Sequence, residues 1–477
     1  MIIENIQNDL KNKVYSCVDM VKQHFDVILK ENANLNAFIS MCRDEAIKTA
    51  EHIDQDIKNN IPLKPLSGVL FGIKDNILVK DTITTAGSKI LEDYIAPYDA
   101  TVVKKIKDAG GIIIGKTNLD EFAMGSSNET SAFGNCHNPY KLDKVPGGSS
   151  GGSAVAVSKE LVHIGLGSDT AGSVRQPASF CGVVGFKPSY GAISRFGLIA
   201  MSSSLDVIGI LSKYVSDCEK VFQVVCGKDK MDSTSTDILS VLPNNIPNVS
   251  IGIPKEYFVS GINGEVEKSV RDFITSLKNA GFCIKEISLP HTEYSLPTYH
   301  IIMPAEVSAN LARFDNIRYG TDFHQLQMSL GIENLNDLYY KTRGAKFGRE
   351  VKRRILIGTY VLSKGYYDAY YIKAQKVRTL ISQDFENAFK EVDFILTPTS
   401  PTTAFNIGEK NQDPVAMYLS DMFTVSANLA GLPAVSLPLA KDLEGLPIGL
   451  QIIGKRNEDL KVFDLAKNLE KLINFSF

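Results

Sequence analysis

The chain lacks the features that mark membrane, secreted and metal-binding proteins. It has no run of about 18 or more apolar residues, the length that a membrane-spanning helix needs. Its first residues include acidic side chains and no long apolar core, unlike a signal or transit peptide. The seven cysteines are scattered and none is spaced as Cys-x-x-Cys, so neither a disulfide framework nor a zinc site is predicted. We therefore expect a cytoplasmic protein without a metal site.

The chain also lacks an excess of charge of either sign. Its 51 Lys and Arg against 54 Asp and Glu leave a formal net charge of −3. Such a balance gives no electrostatic reason to bind nucleic acid or an anionic membrane. An RNA partner would therefore have to be met through another protein chain.

Helical and strand patterns then divide the 477 residues. Residues 1–60 place apolar side chains at three- and four-residue spacing and predict an N-terminal helical layer. Residues 61–477 alternate buried-strand and amphipathic-helix patterns and are assigned to one domain, with a core at 66–211 and a C-terminal part at 250–477. The polar segment 227–249 predicts a surface connection. The expected fold is a single large α/β/α layered domain whose mixed central sheet is covered by helices.

The most unusual stretch is rich in glycine and serine. Residues 147–153 read GGSSGGS, and a second small-residue turn, DTAGS, occupies residues 169–173 after a predicted strand. Glycine allows positive φ and a close approach of the backbone to a ligand, and ligands collect at strand ends in α/β sheets. The two turns predict a site lined by main-chain N–H groups and hydroxyls.

Two familiar explanations of this stretch fail. A phosphate-binding loop needs Gly-Lys-Ser/Thr after the glycines, but the next lysine is Lys159. Residues 147–151 match G-x-S-x-G, yet a nucleophile elbow needs a strand directly before it, and a polar, proline-containing segment stands there. A Ser-His-Asp triad would draw on only seven histidines, and His163 alternates with apolar residues as a packed strand residue does.

A third explanation uses Ser173 and Ser149 in the two turns and Lys74 at the end of a predicted apolar strand. A lysine desolvated in an apolar setting has a lowered pKa and can act as a base, and Ser-Lys pairs are an established form of nucleophilic catalysis. A second serine could relay the proton. The local pattern equally allows Lys74 to be an ion-paired lysine at a strand end.

Residues 147–153 and 167–178, with the Lys-Asp pair at 74–75, resemble the amidase signature family. The match includes 24 positions between Ser149 and Ser173. The resemblance implies catalysis by Lys74, Ser149 and Ser173, with an oxyanion hole of main-chain N–H groups from Thr170, Ala171, Gly172 and Ser173. Ala171 replaces the usual glycine, and we expect the hole to survive if Ala171 has negative φ.

Other stretches resemble the glutaminase branch of this family, which serves tRNA-dependent amidotransferases. They lie at residues 120–131, 313–320, 350–355, 365–371 and 420–431. The resemblance implies that Tyr299, Arg354 and Asp421 hold L-glutamine, since Arg suits a carboxylate and Asp an ammonium group. From the sequence pattern without this resemblance, Arg353 and Arg354 would be interpreted as helix-surface charges, and Asp421 as an exposed helix residue.

The resemblance also implies partners. Ammonia from glutamine would pass to a tRNA-binding B subunit that uses ATP and Mg²⁺ to convert Glu-tRNA(Gln), with Asp-tRNA(Asn) as a second candidate acceptor. A small C subunit would complete a heterotrimer, and this chain would need no cofactor and no membrane. A free-standing amidase acting on small or aryl amides is the alternative, and a non-catalytic binding subunit is a remoter one.

Overall fold

One mixed sheet of eleven strands forms the centre of the described molecule. The structure is a computed structural model, and it describes residues 1–238, 249–258, 261–319, 328–411 and 413–475. The strands are β1 (Phe38–Met41), β2 (Leu70–Lys74), β3 (Ile112–Thr117), β4 (Ile164–Asp169), β5 (Val184–Lys187), β6 (Val207–Ser212), β7 (Ser250–Pro254), β8 (Cys283–Ile287), β9 (Phe394–Pro398), β10 (Ala434–Lys441) and β11 (Pro447–Ile453). Their order is β1-β3-β2-β4-β6-β5-β10-β11-β9-β7-β8.

Parallel and antiparallel pairs both occur in this sheet. β2 is parallel to β3 and β4, and β7 is parallel to β8 and β9. The remaining pairs are antiparallel, including the β10–β11 hairpin and the β5–β10 pair. Because β5 pairs with β10, the core and the C-terminal part share one sheet. The predicted mixed α/β sheet is confirmed.

Helices cover both faces of the sheet. The described α-helices are Ile2–Lys11, Cys17–Leu35, Arg43–Lys58, Thr101–Asp108, Gly151–Ser158, Arg175–Cys181, Val215–Val225, Gly264–Asn279, Ser295–Asn310, Leu335–Lys346, Arg349–Val361, Lys373–Ala388, Pro414–Tyr418, Val425–Leu429 and Asp459–Leu472. Successive strand residues point to opposite faces: Leu70 packs with the N-terminal helices, whereas Phe71 packs with the helices at 101–108 and 215–225. Within the described ranges, none of these helices combines the length and apolarity required to cross a membrane.

The N-terminal layer differs from the sequence prediction in one respect. Three helices form as expected, but β1 lies between the second and third and pairs antiparallel with β3 at the edge of the sheet. Asn36 adopts a left-handed conformation that ends the second helix, and only four residues follow in the strand. A strand this short has too few residues for its alternation to stand out beside two long helices. Residues 239–248 of the predicted surface connection lie outside the described residues.

Candidate active site

The site is built where β2 and β4 end. These two strands are parallel neighbours, so their carboxyl ends meet at one edge of the sheet. Lys74 is the last residue of β2, and Asp169 is the last residue of β4. Both side chains are fully buried. The sheet thereby brings the predicted base and the start of the second turn to the same place.

Lys74 is hydrogen-bonded to hydroxyl groups rather than paired with a carboxylate. Its Nζ lies 2.7 Å from Ser149 Oγ, 2.8 Å from Ser150 Oγ and 2.9 Å from Ser168 Oγ. Asp75 forms its ion pair with Lys116 instead, at 2.7 Å. Burial lowers the pKa of Lys74 to about 7, although nearby buried aspartates act in the opposite direction. The amine is therefore available as a neutral base near neutral pH.

A backbone hydrogen bond joins the two serine turns. Ser150 N donates to Ser173 O at 3.0 Å, and Ser150 begins the turn into the helix Gly151–Ser158. Among the described residues, the Ser173 hydroxyl makes no hydrogen bond, so no direct bond joins it to Ser149 here. Catalytic hydrogen bonds of this kind often form only when substrate is bound. Of the three predicted groups, Lys74 and Ser149 are in contact and Ser173 lies in the adjacent turn.

The second turn carries four main-chain N–H groups, one of which is already hydrogen-bonded within the chain. Gly172 N donates to Asp169 Oδ1 at 2.9 Å, so it is already bound. Within the described part of the chain, the N–H groups of Thr170, Ala171 and Ser173 have no acceptor and remain candidates for the oxyanion hole. Ala171 is not among the residues with positive φ, whereas Gly172 has φ +138°. The backbone at Ala171 therefore does not require positive φ, and a residue with a side chain fits there.

A buried ion pair fixes the shape of this turn. Arg175 donates to both oxygens of Asp169, at 3.0 and 3.1 Å, and also to Asn428 Oδ1 and Gln451 Oε1. Burial would raise the pKa of Asp169, but the Arg175 charge beside it outweighs this and lowers the pKa to about 2. Asp169 is thus an anion that binds Gly172 N and Val174 N. These bonds hold the loop that carries Ser173.

A cavity of about 330 Å³ is lined by residues from three segments, 121–130, 348–354 and 410–418. Its wall includes Ser126, whose carbonyl accepts from Gln176 Nε2, and Gln176 Oε1 accepts from Gly148 N. The Gln176 side chain therefore bridges Ser126 in the cavity wall and Gly148, the residue before Ser149. This bridge is the link that the structure shows between the cavity wall and the first serine turn, since Lys74, Ser149 and Ser173 are not among the described residues that line the cavity.

Arg354 lines the cavity and is buried, at 5% exposure. Its Nε donates to Glu350 Oε1 at 2.8 Å, and the Tyr418 hydroxyl donates to the same oxygen at 2.9 Å. Burial opposes the charge of Arg354, but Glu350 outweighs this and raises its pKa. The interpretation of Arg354 as a helix-surface charge does not hold, whereas the Arg353 side chain is 30% exposed.

Asp421 and Tyr299 lie near Arg354. Ser126 Oγ donates to Asp421 Oδ2 at 2.6 Å, and burial raises the pKa of Asp421 to about 7. Tyr299 is buried, and its burial raises its pKa while the Arg354 charge acts to lower it. The structure thus brings together one cation, one carboxyl group and one phenol from three separate segments.

Sequence reasoning missed several residues of this site. Glu350 stands four residues before Arg354, a helical spacing that could have indicated the ion pair. Ser126 meets Asp421 across 295 positions, and no local pattern signals such a contact. Ser150 and Ser168 contact Lys74 but are only small residues within the recognised motif.

The histidine prediction agrees with the structure. Leu70 N donates to His163 Nδ1 at 3.0 Å, and burial lowers the pKa of His163 to about 3. The ring is therefore a neutral, packed residue just before β4. In the part of the chain that is described, no group of three or more His, Cys, Asp or Glu side chains could hold a metal ion.

Comparison with known proteins identifies the family of this chain. The family model described as Amidase matches residues 19–463. The glutamyl-tRNA(Gln) amidotransferase A subunit of Carboxydothermus hydrogenoformans is 50% identical over 478 residues, covering 99% of this chain and 97% of the relative. The protein of the same name from Pelagibacter ubique is also 50% identical, covering 100% and 97%. The resemblance seen in the sequence therefore extends over nearly the whole chain.

Solved structures share the same fold. The crystal structure of the glutamyl-tRNA(Gln) amidotransferase A subunit from Thermotoga maritima has a TM-score of 0.80 at 40% identity, covering 100% of this chain and 95% of that one. A bacterial aryl acylamidase of the amidase signature family has a TM-score of 0.84 at 22% identity, with coverage of 98% and 95%, and shows the shared fold alone. On the family model, the identity to these relatives and the fold, this chain belongs to the amidase signature family.

Proposed function

We propose that this chain is the glutaminase subunit of a tRNA-dependent amidotransferase. The observation that carries the proposal is the contact between the buried Lys74 amine and Ser149. Gln176 links the residue before Ser149 to the wall of a cavity that Arg354 also lines. The lysine and the two serines suit amide cleavage. The Arg354 side chain suits recognition of an amino acid carboxylate. The relatives named as glutamyl-tRNA(Gln) amidotransferase A subunits support the same assignment.

The bonding around Lys74 supports a direction for proton transfer. Ser150 Oγ donates its own proton to Ser168 O at 3.2 Å, so it accepts from Lys74. A neutral amine has two N–H groups, which Ser150 and Ser168 take up. Its lone pair is then left for the Ser149 hydroxyl. The base and the relay serine are thus aligned before substrate binds.

The reaction follows from that alignment. Ser173 Oγ attacks the γ-carboxamide carbon of glutamine while its proton moves to Ser149 and the Ser149 proton moves to Lys74. Free N–H groups of the turn at 170–173 stabilise the oxyanion, each worth about 2.7–4 kcal/mol in a well-studied protease. The proton returns through Ser149 to the leaving nitrogen, and ammonia departs from a γ-glutamyl ester. Water then attacks the ester and releases glutamate and Ser173.

The head group of glutamine would bind in the cavity. Arg354 would receive the α-carboxylate and Asp421 the α-ammonium, with the Tyr299 hydroxyl between them. A positive α-ammonium would favour the ionised form of Asp421, whose pKa burial raises to about 7. This recognition of both charges distinguishes glutamine from simple amides.

The proposal includes partners for the ammonia. A B subunit would bind Glu-tRNA(Gln), or Asp-tRNA(Asn) as a second acceptor, and would bind the ATP and Mg²⁺, while a small C subunit completes the complex. The net charge of −3 supports tRNA binding through another chain. The reaction would take place in the cytoplasm, where charged tRNA is used.

The test is ammonia release from L-glutamine and from a panel of simple amides. The chain is co-expressed with its partners, and Ser173→Ala is the control. We expect release from glutamine alone, abolished in the variant. Broad release from unrelated amides without glutamine turnover would assign the chain to the free-standing amidases. No turnover of any amide would support a binding subunit.

A further inference from the structure

Glu121 is a buried carboxyl group on the cavity wall that the proposed reaction does not use. It is 2% exposed. Its Oε1 accepts from Ser88 Oγ at 2.5 Å, and its two oxygens accept from Gly348 N at 2.9 and 3.1 Å. A buried carboxylate is costly unless it is hydrogen-bonded. The three hydrogen bonds offset the cost of burying the Glu121 carboxyl group. They do not by themselves assign it a role.

Gly348 is the N-cap of the helix Arg349–Val361, which carries Glu350 and Arg354. Glycine has no side chain to cap the helix, and Glu121 supplies the acceptor from a distant segment. Burial raises the pKa of Glu121 to about 7 against the lowering effect of these hydrogen bonds, and its ionised form at this end complements the helix dipole. The fit is close, because a Cβ at Gly348 would lie 2.2 Å from Glu121 Oε2. Glu121 thereby fixes the end of the helix that holds Arg354.

The next residue strengthens the same contact. The Phe122 ring meets the Phe347 ring edge-on, with centroids 5.7 Å apart. Phe122 and Ala123 both adopt positive φ, 49° and 62°, which is a strained conformation for residues with side chains. Strain of this kind persists at ligand clamps where the surroundings enforce it. Glu121 and Phe122 thus contact Gly348 and Phe347, the two residues that precede the helix.

The same short segment also reaches Asp421. Ser126, five residues after Glu121, donates to Asp421 Oδ2 at 2.6 Å. One segment therefore contacts Asp421 directly and holds the Arg354 helix through Gly348. Its geometry therefore bears on the separation between Asp421 and Arg354, of which Arg354 lines the cavity.

We propose that Glu121 is a positioning residue that fixes the Arg354 helix relative to Asp421, so that both charges of the glutamine head group bind at once. This inference rests on the proposed function. It predicts that loosening the Glu121–Gly348 contact weakens glutamine binding without slowing attack by Ser173.

Two variants test the contact from opposite sides. Glu121→Gln replaces one acceptor oxygen with an amide NH₂ that faces the Gly348 N–H, and Gly348→Ala places a Cβ against the carboxylate. In the co-expressed complex we expect each to raise the KM for L-glutamine about tenfold, or about 1.4 kcal/mol. We expect kcat for glutamine, and turnover of p-nitrophenyl acetate, which has no head group, to change less than about twofold. Gly344→Ala is the matched control, since among the described residues no atom outside its own helix turn would lie within 4 Å of the added Cβ.

The double variant separates positioning from general damage. Because both changes break one contact, the KM of Glu121→Gln with Gly348→Ala should equal that of either single variant. The inference is overturned if the single variants keep wild-type glutamine kinetics, or if they lose glutamine and ester turnover equally. In either case, glutamine turnover by the wild-type complex still upholds the proposed function. A wild-type complex that ignores glutamine would instead refute the proposed function.

Discussion

The pH dependence of glutamine hydrolysis gives the sharpest test of Lys74 as the base. Burial lowers the pKa of Lys74 to about 7, and only the neutral amine can accept a proton. The neutral fraction rises with pH, from about one in eleven at one unit below the pKa to about ten in eleven at one unit above it. The kcat for glutamine should therefore increase about tenfold between pH 6 and pH 8 and level off above that range.

A second group changes the profile of kcat/KM. Asp421, with its pKa raised to about 7 by burial, must be ionised to bind the α-ammonium group. Its ionised fraction also increases with pH, so the two effects multiply in the free enzyme. The value of kcat/KM should rise about a hundredfold over the same range, whereas kcat reports only Lys74 once substrate has bound.

Asp421→Asn separates the two groups. The variant should bind glutamine more weakly at every pH, and its kcat/KM should rise only about tenfold from pH 6 to pH 8, because one titrating group is gone. The assay is initial-rate ammonia release by the co-expressed complex in buffers of constant ionic strength. A kcat that is flat across this range, or that falls as pH increases, would refute the role of Lys74 as a neutral base.

Three further variants test other parts of the site by the same assay. Lys74→Arg should lower kcat by about 10²–10⁴, because a guanidinium keeps its proton; substantial activity would exclude Lys74 as the base. Arg354→Lys should raise the KM for glutamine about tenfold with little change in kcat, since lysine cannot bind a carboxylate bidentately; an unchanged KM would count against head-group binding. Gly172→Ala should lower kcat about 10²-fold, because its Cβ would lie 2.1 Å from Thr424 Oγ1 at a φ of +138°; activity equal to that of Gly344→Ala would contradict this.

Local sequence patterns predicted much of the fold and the reactive groups. Alternating strand and helix patterns indicated the mixed α/β sheet, because burial on one or both faces leaves a periodic signal along the chain. The glycine- and serine-rich turns identified Ser149 and Ser173, since turns with positive φ demand particular residues. The strands β1, β5 and β6 were not predicted; β1 and β5 have only four residues each, too few for a periodicity to be recognised.

The order of the strands and the pairing of distant side chains arise only in three dimensions. Lys74 could have been ion-paired or hydroxyl-bonded, and its partners were decided by the β2–β4 pair, which buries its amine among serines. Arg354 is a buried group on the cavity wall rather than a surface charge, because helix packing turns it inward and Glu350 accepts its hydrogen bond. Asp421 met Ser126 across 295 positions. By itself, the sequence determined which reactive groups are present and which turns carry them, because turns depend on neighbouring residues. The tertiary structure decided which groups meet and how their pKa values change, because both depend on long-range contacts and burial.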